Sequence, residues 1–312
     1  MIGVLLGLVM RAAVVLTGTA VITFALLWNA PGDPAQAIAM ARFDALLSED
    51  VIASVRAEAG LDQSFWRAFA DWARPLLVLD FGNSAVTGRP VWPDLRAAIS
   101  YTFPLAFAAL AIGLVISVPL AVIAARRQGS WIDRGAVAIA TLGAAIPPYW
   151  LGLILILVFA VQLAWLPAMG ARTPAHAILP ALTLGLGVAA SLTRIIRSGI
   201  LEAKSQPFLP AFRRRGIAET RLGRDHIGPH AAVPVVTVFG LELAFLLEGL
   251  VLVEAIFGRP GLGIFLVSAI NARDFPHVQA VVVLTALIFV TTNLLIDVIY
   301  RLIDPRIGER DA

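Results

Sequence analysis

The sequence predicts an all-α protein that crosses a membrane several times. Of its 312 residues, 59% are hydrophobic and only 14% are charged, and the mean hydropathy is +0.85, whereas about a quarter of the residues of an average soluble domain are charged. Six segments are long and apolar enough for a helix to cross a bilayer. These predicted spans are residues 12–29, 102–124, 135–162, 177–193, 233–253 and 278–299.

The distribution of Lys and Arg predicts the orientation of these spans, because basic residues close to span ends resist translocation. Of the 24 basic residues, 15 lie beside spans on one side and three lie in short loops on the other. The remaining six fall in the long segment after the first span, where nine acidic residues leave a net negative charge. This bias places both the N- and the C-terminus in the cytoplasm.

Three regions follow from that orientation. Residues 1–30 contain the first transmembrane helix, residues 31–100 form an extracytoplasmic helical loop, and residues 101–312 form a five-helix core with a cytoplasmic loop at 204–234. No targeting segment or internal repeat interrupts this layout. The chain is therefore expected to consist of one membrane core with one sizeable loop on the outer side.

Two helices are predicted within residues 31–100. The first begins after Ser48, a residue type that commonly caps helices, and stops at Gly60. The second carries aromatic side chains at helical spacing until Pro75 interrupts it: Phe65, Trp66, Phe69 and Trp72. Aromatic residues of this kind commonly lie at the membrane surface, so this region is predicted to be a small helical cap.

The basic loop at 204–234 is too polar to be buried in lipid and is expected to be exposed. Its cationic part ends in a glycine: Arg213, Arg214, Arg215 and Gly216. A short helix with fixed positive charge beside the membrane can dock into a groove of a soluble partner. The alternative is an arginine cluster that faces anionic lipid, and the residues alone leave both interpretations open.

Two features mark a candidate translocation path. Pro147 and Pro148 remove backbone donors from the third span and predict a broken or kinked helix, which either faces a pore or merely suits helix packing. Glu242 and Glu248 fall at bilayer depth in the fifth span, where acidic residues are expensive and usually face a bundle interior or an aqueous path. Pairing with neighbouring spans is favoured over metal ligation for both acids.

Several kinds of chemistry are missing from the sequence. Cysteine is absent, which excludes thiolate metal sites and a cysteine nucleophile. The single lysine, Lys204, follows Ala203, so no standard P-loop is present and any ATP-driven work must come from a partner. The glycines at Gly185 and Gly187 fall within a span and predict close helix packing. An intramembrane hydrolase built on Ser191 or Ser198 lacks a convincing base.

Short motifs occur in a specific order along nearly the whole chain. They include Pro31-Gly32-Asp33-Pro34, Asp80-Phe81-Gly82-Asn83-Ser84, Gly88-Arg89-Pro90-Val91, Ile146-Pro147-Pro148-Tyr149-Trp150, Pro260-Gly261-Leu262-Gly263, Arg273-Asp274-Phe275-Pro276 and Asp304-Pro305-Arg306-Ile307. In number and order these motifs resemble the membrane permease subunits of the dipeptide, oligopeptide and nickel family of bacterial ABC importers. The stretches 79–82 and 165–170 look somewhat like the nickel permeases, while peptide permeases are the larger group.

The resemblance implies a type I ABC importer permease fold with six transmembrane helices in the bacterial inner membrane. The implied partners are a second homologous permease subunit, two cytoplasmic ATPase subunits, an extracytoplasmic substrate-binding protein and membrane lipid, without nucleic acid. ATP and Mg would bind the ATPase subunits, and this chain would hold no cofactor or metal and would not be an enzyme. The cargo would be short peptides or nickel; the alternative class is a proton-coupled secondary transporter that uses Glu242 and Glu248.

The resemblance also points to residues that couple the permease to the ATPases. Gly216 and Pro234 match the glycine and the distal proline of the family's docking motif, and Arg213 and Arg215 also match. The sequence departs from the family pattern at four positions of this loop: Phe212, Arg214, Pro210 and Pro229. Glu242 and Glu248 replace residues that are usually uncharged, so no family role is carried over to them.

Overall fold

The computed structural model describes residues 2–29, 31–43, 48–228, 231–232, 235, 242, 246 and 249–303. These residues are predominantly helical, and the strand-type pairing among them is one isolated bridge between Asn83 and Pro90. The helices are α1 (Ile2–Trp28), α2 (Pro34–Phe43), α3 (Glu49–Glu58), α4 (Phe65–Leu76), α5 (Val91–Arg126), α6 (Trp131–Ala145), α7 (Pro148–Leu155), α8 (Ile178–Lys204), α9 (Leu209–Arg214), α10 (Glu219–Leu222), α11 (Leu262–Asn271) and α12 (Phe275–Ile303).

Four of these helices are long and apolar enough to cross a membrane: α1, α5, α8 and α12. They correspond to the first, second, fourth and sixth predicted spans. Both α5 and α8 are longer than predicted, because amphipathic turns extend the helix from residue 102 back to 91 and from 193 on to 204. The predicted span 233–253 lies largely outside the described residues, although residues 249–256 are helical.

The third predicted span is broken at its two prolines, as the sequence predicts. Helix α6 ends at Ala145, Ile146 and Pro147 adopt extended backbone conformations, and α7 begins with Pro148. The two segments are bent by 100° relative to each other. Proline disfavours a helical conformation for the residue before it and is well accepted in the first turn of a helix, so consecutive prolines end one helix and start the next.

The chain divides into two compact units. The first comprises Met1–Tyr101 and Pro260–Thr291, and the second comprises Thr102–Arg259 and Thr292–Ala312. In the first unit, α2 and α3 share a small apolar core, and residues of α5, α11 and α12 form another around Leu95 and Leu262. The side chain of Asp274 accepts hydrogen bonds from Ser84 and from the Ala85 backbone, which ties the segment before α5 to the start of α12.

Both helices predicted within residues 31–100 are present. Helix α3 follows Ser48 and closes before Gly60, although the Ser48 side chain makes no capping bond. Helix α4 carries the predicted aromatic residues and ends at Leu76, one residue beyond Pro75, so the predicted end of the helix is displaced by one residue. Pro75 lacks the N–H that would donate to the carbonyl four residues earlier, and its ring crowds that carbonyl, so the helix ends at the next residue.

The second unit is organised around α8, whose buried face packs against α5, α6 and α7. Gly185 of α8 lies against Ile112 and Ala109 of α5, and Gly113 of α5 lies against Val188 of α8. A Cβ atom at Gly185 would come within 2.8 Å of the Ile112 side chain and 2.9 Å of the Ala109 carbonyl oxygen. The close helix packing predicted for Gly185 is therefore confirmed, since only glycine permits this backbone approach. The same prediction for Gly187 is wrong, because a Cβ atom there meets nothing within 4 Å.

Replacing Gly185 with leucine should therefore destabilise the second unit. Overpacking of this kind costs about 1–3 kcal/mol, and the Ala109 carbonyl cannot move aside without bending α5. Gly187 provides a matched control two residues away, because a Cβ atom there meets nothing within 4 Å. The measurement is the thermal unfolding of each purified variant in detergent, and equal stability of the Gly185→Leu and Gly187→Leu variants would contradict this packing.

Candidate coupling site

The predicted coupling segment begins where α8 ends and folds into a series of short helical turns. Helix α9 is followed by a turn at Arg215-Gly216, by α10, and by a π-helical turn at Gly223–Ile227. The sequence predicts an exposed loop here, and the described arginines of the segment are indeed exposed, while Lys204 is half-buried. Its backbone, however, is held by helical hydrogen bonds, so the cations are presented on ordered structure.

Gly216 terminates α9 in a left-handed conformation. Its φ is +76°, and the backbone N–H groups of Gly216 and Ile217 donate to the carbonyl groups of Arg213 and Phe212, respectively. This pair of hydrogen bonds is the Schellman arrangement, in which glycine is favoured because it has no Cβ atom. The structure thus supplies a physical reason for glycine at the position that the sequence singled out.

A small apolar core lies under these turns. Leu209 and Leu222 are fully buried together with Ala203 at the end of α8, and Phe212 and Ile217 pack at the edge. The Phe212 ring stacks on His226 with ring centroids 4.4 Å apart. Phe212, which departs from the family pattern, therefore serves as the apolar anchor of the turn. This core is not evident from the sequence, because its apolar members are scattered between polar residues.

Proline at position 210 is also accommodated. Pro210 lies in the first turn of α9, where backbone N–H groups have no partner within the helix, so the missing donor carries little cost. Pro229 and Pro234 lie outside the described residues. The departure from the family pattern at Pro210 is therefore compatible with helix α9.

The arginines of the segment differ in their partners. Arg213 forms a two-pronged ion pair with Glu219, at 2.7 and 3.5 Å, and this pairing lowers the pKa of the Glu219 carboxyl group. Arg214 and Arg215 are exposed and make no ion pair within the part of the chain that the structure describes. The positive charge of α9 that has no ion-pair partner among the described residues therefore rests on Arg214 and Arg215, while Arg213 connects α9 to α10.

Two contacts connect the C-terminal end of α8 to the hairpin between α5 and α6. Arg197 donates to both carboxylate oxygens of Asp133, one bond measuring 2.7 Å, and Lys204 donates to the Ala125 carbonyl at 2.7 Å. Asp133 also accepts a bond from the Gly129 backbone at 2.8 Å. We call these two contacts the α8 clamp. The clamp residues were not singled out from the sequence, where Asp133 and Arg197 are far apart.

The candidate translocation residues are only partly described. Pro147 and Pro148 are exposed at the break between α6 and α7. Glu242 is 9% exposed and its carboxylate accepts a hydrogen bond from the Ser191 side chain of α8. Glu242 is thus paired with a neighbouring helix, whereas Glu248 lies outside the described residues. Among the described residues, no group of three or more His, Asp or Glu side chains could hold a metal ion.

Comparisons with known proteins identify the family. The family profile described as "Binding-protein-dependent transport system inner membrane component" matches residues 117–309. The chain is 37% identical over 303 residues to the glutathione transport system permease proteins GsiC of Escherichia coli (strain K12) and Salmonella typhi, and each match covers 97% of this chain and 96% of the relative.

Solved structures share the fold. An inward-facing structure of the MetNI methionine ABC transporter aligns with a TM-score of 0.57 at 21% identity and covers 67% of this chain and 96% of that one. An amino acid ABC transporter structure aligns with a TM-score of 0.54 at 20% identity, covering 67% and 94%. None of these comparisons supports the proton-coupled alternative. The chain therefore belongs to the binding-protein-dependent transport system inner membrane components and is a multi-pass, non-enzymatic permease subunit of an ABC importer with the type I permease fold.

Proposed function

We propose that this permease pairs with a second, homologous permease above two ATPase subunits and receives cargo from an external substrate-binding protein. The family description, which names binding-protein-dependent transport, supports the need for such a protein. ATP and Mg bind the ATPase subunits in this proposal, and the permease holds no cofactor of its own. Its part is to form half of the path and to convert motion of the ATPases into a change of access.

The segment from Lys204 to Pro234 is the proposed docking element. Helix α9 carries exposed arginines and is locked by the Gly216 cap and by the Arg213–Glu219 ion pair. A rigid cationic element loses little conformational freedom on docking, so more of its interaction energy appears as affinity. The anionic-lipid alternative does not require this rigidity, since lipid attraction acts on the charge of a flexible segment equally well.

The α8 clamp would transmit motion of the docking element to the α5–α6 hairpin. Helix α8 is continuous from Ile178 to Lys204 and leads directly into the docking element. Because Arg197 and Lys204 hold the α5–α6 hairpin, displacement of α9 would move both together within the second unit. Rigid movement of packed helices is the usual way in which such transporters alternate access. Pro147, Pro148, Glu242 and Glu248 remain the proposed contributors to the path.

The proposed topology has six spans with both termini in the cytoplasm. The bias of Lys and Arg toward one side supports this orientation. Residues 1–30 then contain the first span, residues 31–100 lie on the extracytoplasmic side of the membrane, and residues 101–312 form the permease core. The docking element falls on the cytoplasmic side, where ATPase subunits are found.

A short peptide of the glutathione kind is the proposed cargo. The single observation that carries this proposal is the 37% identity to glutathione permeases over 97% of the chain. Nickel, the other cargo that the sequence left open, is not named among these relatives. Specificity in such systems is shared with the binding protein, so the cargo has to be measured on the whole importer.

The test uses the complete importer reconstituted in vesicles with ATP inside and the binding protein outside. We expect saturable uptake of labelled glutathione or another short peptide, dependent on both ATP and the binding protein. The matched control carries an ATPase subunit whose P-loop lysine is replaced, which should abolish uptake. Uptake of nickel without peptide uptake would refute the cargo, and uptake by this permease under a proton gradient without ATPases would refute the mechanism.

A further inference from the structure

Helix α4 and the turn that follows it present an apolar surface that no other part of the described chain covers. Leu77, Val78 and Leu79 are 87%, 78% and 59% exposed, respectively. We refer to residues 77–79 as the apolar hook. Three consecutive large apolar side chains on a surface turn are unfavourable in water, and a surface of this kind usually marks an interaction site.

The backbone of the hook is rigid and strained. Leu79 has a φ of +58°, and the N–H groups of Leu79 and Asp80 donate to the carbonyls of Leu76 and Pro75. The Asp80 carboxylate in turn accepts a bond from the Gly82 backbone at 2.9 Å. Glycine normally occupies this left-handed position because it has no Cβ atom. The leucine at position 79 therefore places an exposed apolar side chain on a strained backbone.

Helix α4 has three distinct faces. The first packs on the end of α1, where Phe65, Phe69 and Trp72 contact Phe24. The second face, one residue further around, carries Trp66 and Leu77, which lie eleven residues apart and therefore within about 20° of each other on the helix. Trp66 is exposed as well. Trp66 and Leu77 therefore connect the apolar hook with the face of α4 that contacts α1.

The third face of α4 is charged. It carries Arg67, Asp71 and Arg74, all exposed, and Asp71 pairs with Arg74 at 3.6 Å. A helix with an apolar side, an aromatic border and a basic polar side has the composition of helices that lie in the plane of a membrane interface.

The position of α4 indicates that lipid covers its exposed apolar face. Helix α1 is a candidate membrane span whose apolar side chains Ile22 and Leu26 are exposed, and α4 contacts the last turns of this span. Trp28 at the end of α1 and Trp72 of α4 both contact Phe24, as expected for a cluster at headgroup level. The uncovered face of α4 therefore adjoins the exposed apolar surface of a candidate membrane span.

We propose that the apolar hook and the Trp66–Leu77 face of α4 insert into the membrane leaflet at the end of α1, as an interfacial anchor for the segment between α1 and α5. The side chains of the hook enter the acyl-chain boundary, while Arg67 and Arg74 stay at the level of the headgroups and water. The anchor keeps the adjoining helices α2 and α3 at a constant height above the bilayer.

The absence of cysteine allows a direct test, because an introduced cysteine carries the only label on this chain. Nitroxide labels are placed at Val78→Cys and, as the matched control on the polar face, at Arg67→Cys. The labelled importer is reconstituted in vesicles of phosphatidylethanolamine and phosphatidylglycerol. Collision rates with oxygen, which partitions into lipid, and with a water-soluble nickel chelate are then compared at the two sites.

We expect the label at position 78 to collide more with oxygen than with the nickel chelate, and the label at position 67 to show the reverse. Equal access of the nickel chelate to both labels would overturn the proposal. Protection of position 78 that arises only after the binding protein is added would overturn it in favour of a protein partner. Leu77→Cys provides a second probe should the first variant fold poorly, and ATP-driven uptake measured on the same vesicles tests the importer separately.

Discussion

Replacing Gly216 with valine should reduce ATP-driven uptake by about 5- to 30-fold while leaving membrane insertion intact. A β-branched residue in the left-handed conformation costs roughly 1–2 kcal/mol, and a penalty of this size changes a two-state population by about 5- to 30-fold. No atom within 4 Å obstructs a side chain at position 216, so the penalty falls on the backbone turn that connects α9 to α10. The measurement is the ratio of cargo transported to ATP hydrolysed.

Two controls isolate the effect of the turn. Gly88 has a φ of +69° and equally open surroundings, so Gly88→Val imposes the same local strain in the segment before α5 and should leave uptake nearly unchanged. Gly216→Asn should retain most of the uptake, because asparagine tolerates the left-handed conformation. Normal uptake by Gly216→Val would remove the cap from the coupling mechanism, as would failure of Arg214→Cys to crosslink to an ATPase subunit.

Replacing Asp133 with alanine should destabilise the second unit and uncouple ATP hydrolysis from uptake. The Asp133 and Arg197 side chains are 4% and 23% exposed, so the change leaves a guanidinium group buried without its partner. Breaking a buried pair in this way costs about 3–5 kcal/mol, and the partial exposure of Arg197 favours the lower end. The ATPases would still hydrolyse ATP, but α8 would no longer carry the α5–α6 hairpin with it.

A double-mutant cycle separates the ion pair from general damage. The variant Asp133→Ala with Arg197→Leu leaves no buried charge unpaired and should recover most of the lost stability. It should not recover coupling, because the clamp remains open at that position. If the single and the double variants were equally unstable, the pair would contribute nothing specific; if Asp133→Ala transported normally, the clamp would play no part in coupling.

Most of the confirmed predictions were based on short local sequence patterns. The break at Pro147-Pro148 and the start of α3 after Ser48 were predicted because each depends on residues within a few positions of one another, and the close packing at Gly185 was predicted because a glycine within an apolar span is itself a signal for helix contact. The family resemblance singled out Gly216 as part of the docking motif but did not predict its Schellman cap, since a glycine in a polar loop has many uses. The number of spans and the orientation of the termini stay predictions that depend on hydropathy and on the Lys and Arg bias.

The features missed from the sequence depend on which distant segments become neighbours. Asp133 and Arg197 are 64 residues apart, and Ser84 meets Asp274 across 190 residues. The apolar hook was missed for another reason: the run Leu76-Leu77-Val78-Leu79 has the composition of a buried segment, and its exposure is visible only once the surrounding helices are placed.

By itself the sequence determined that this protein is a helical membrane protein and that it contains no standard P-loop of its own. Composition and short motifs decide these properties without reference to tertiary contacts. The tertiary structure decided which charges are buried in pairs, which charges are exposed and which apolar residues remain uncovered. The physical reason is that the energy of a charge or an apolar side chain depends on whether water, lipid or protein surrounds it, and that surrounding is assembled from parts of the chain that are far apart in sequence.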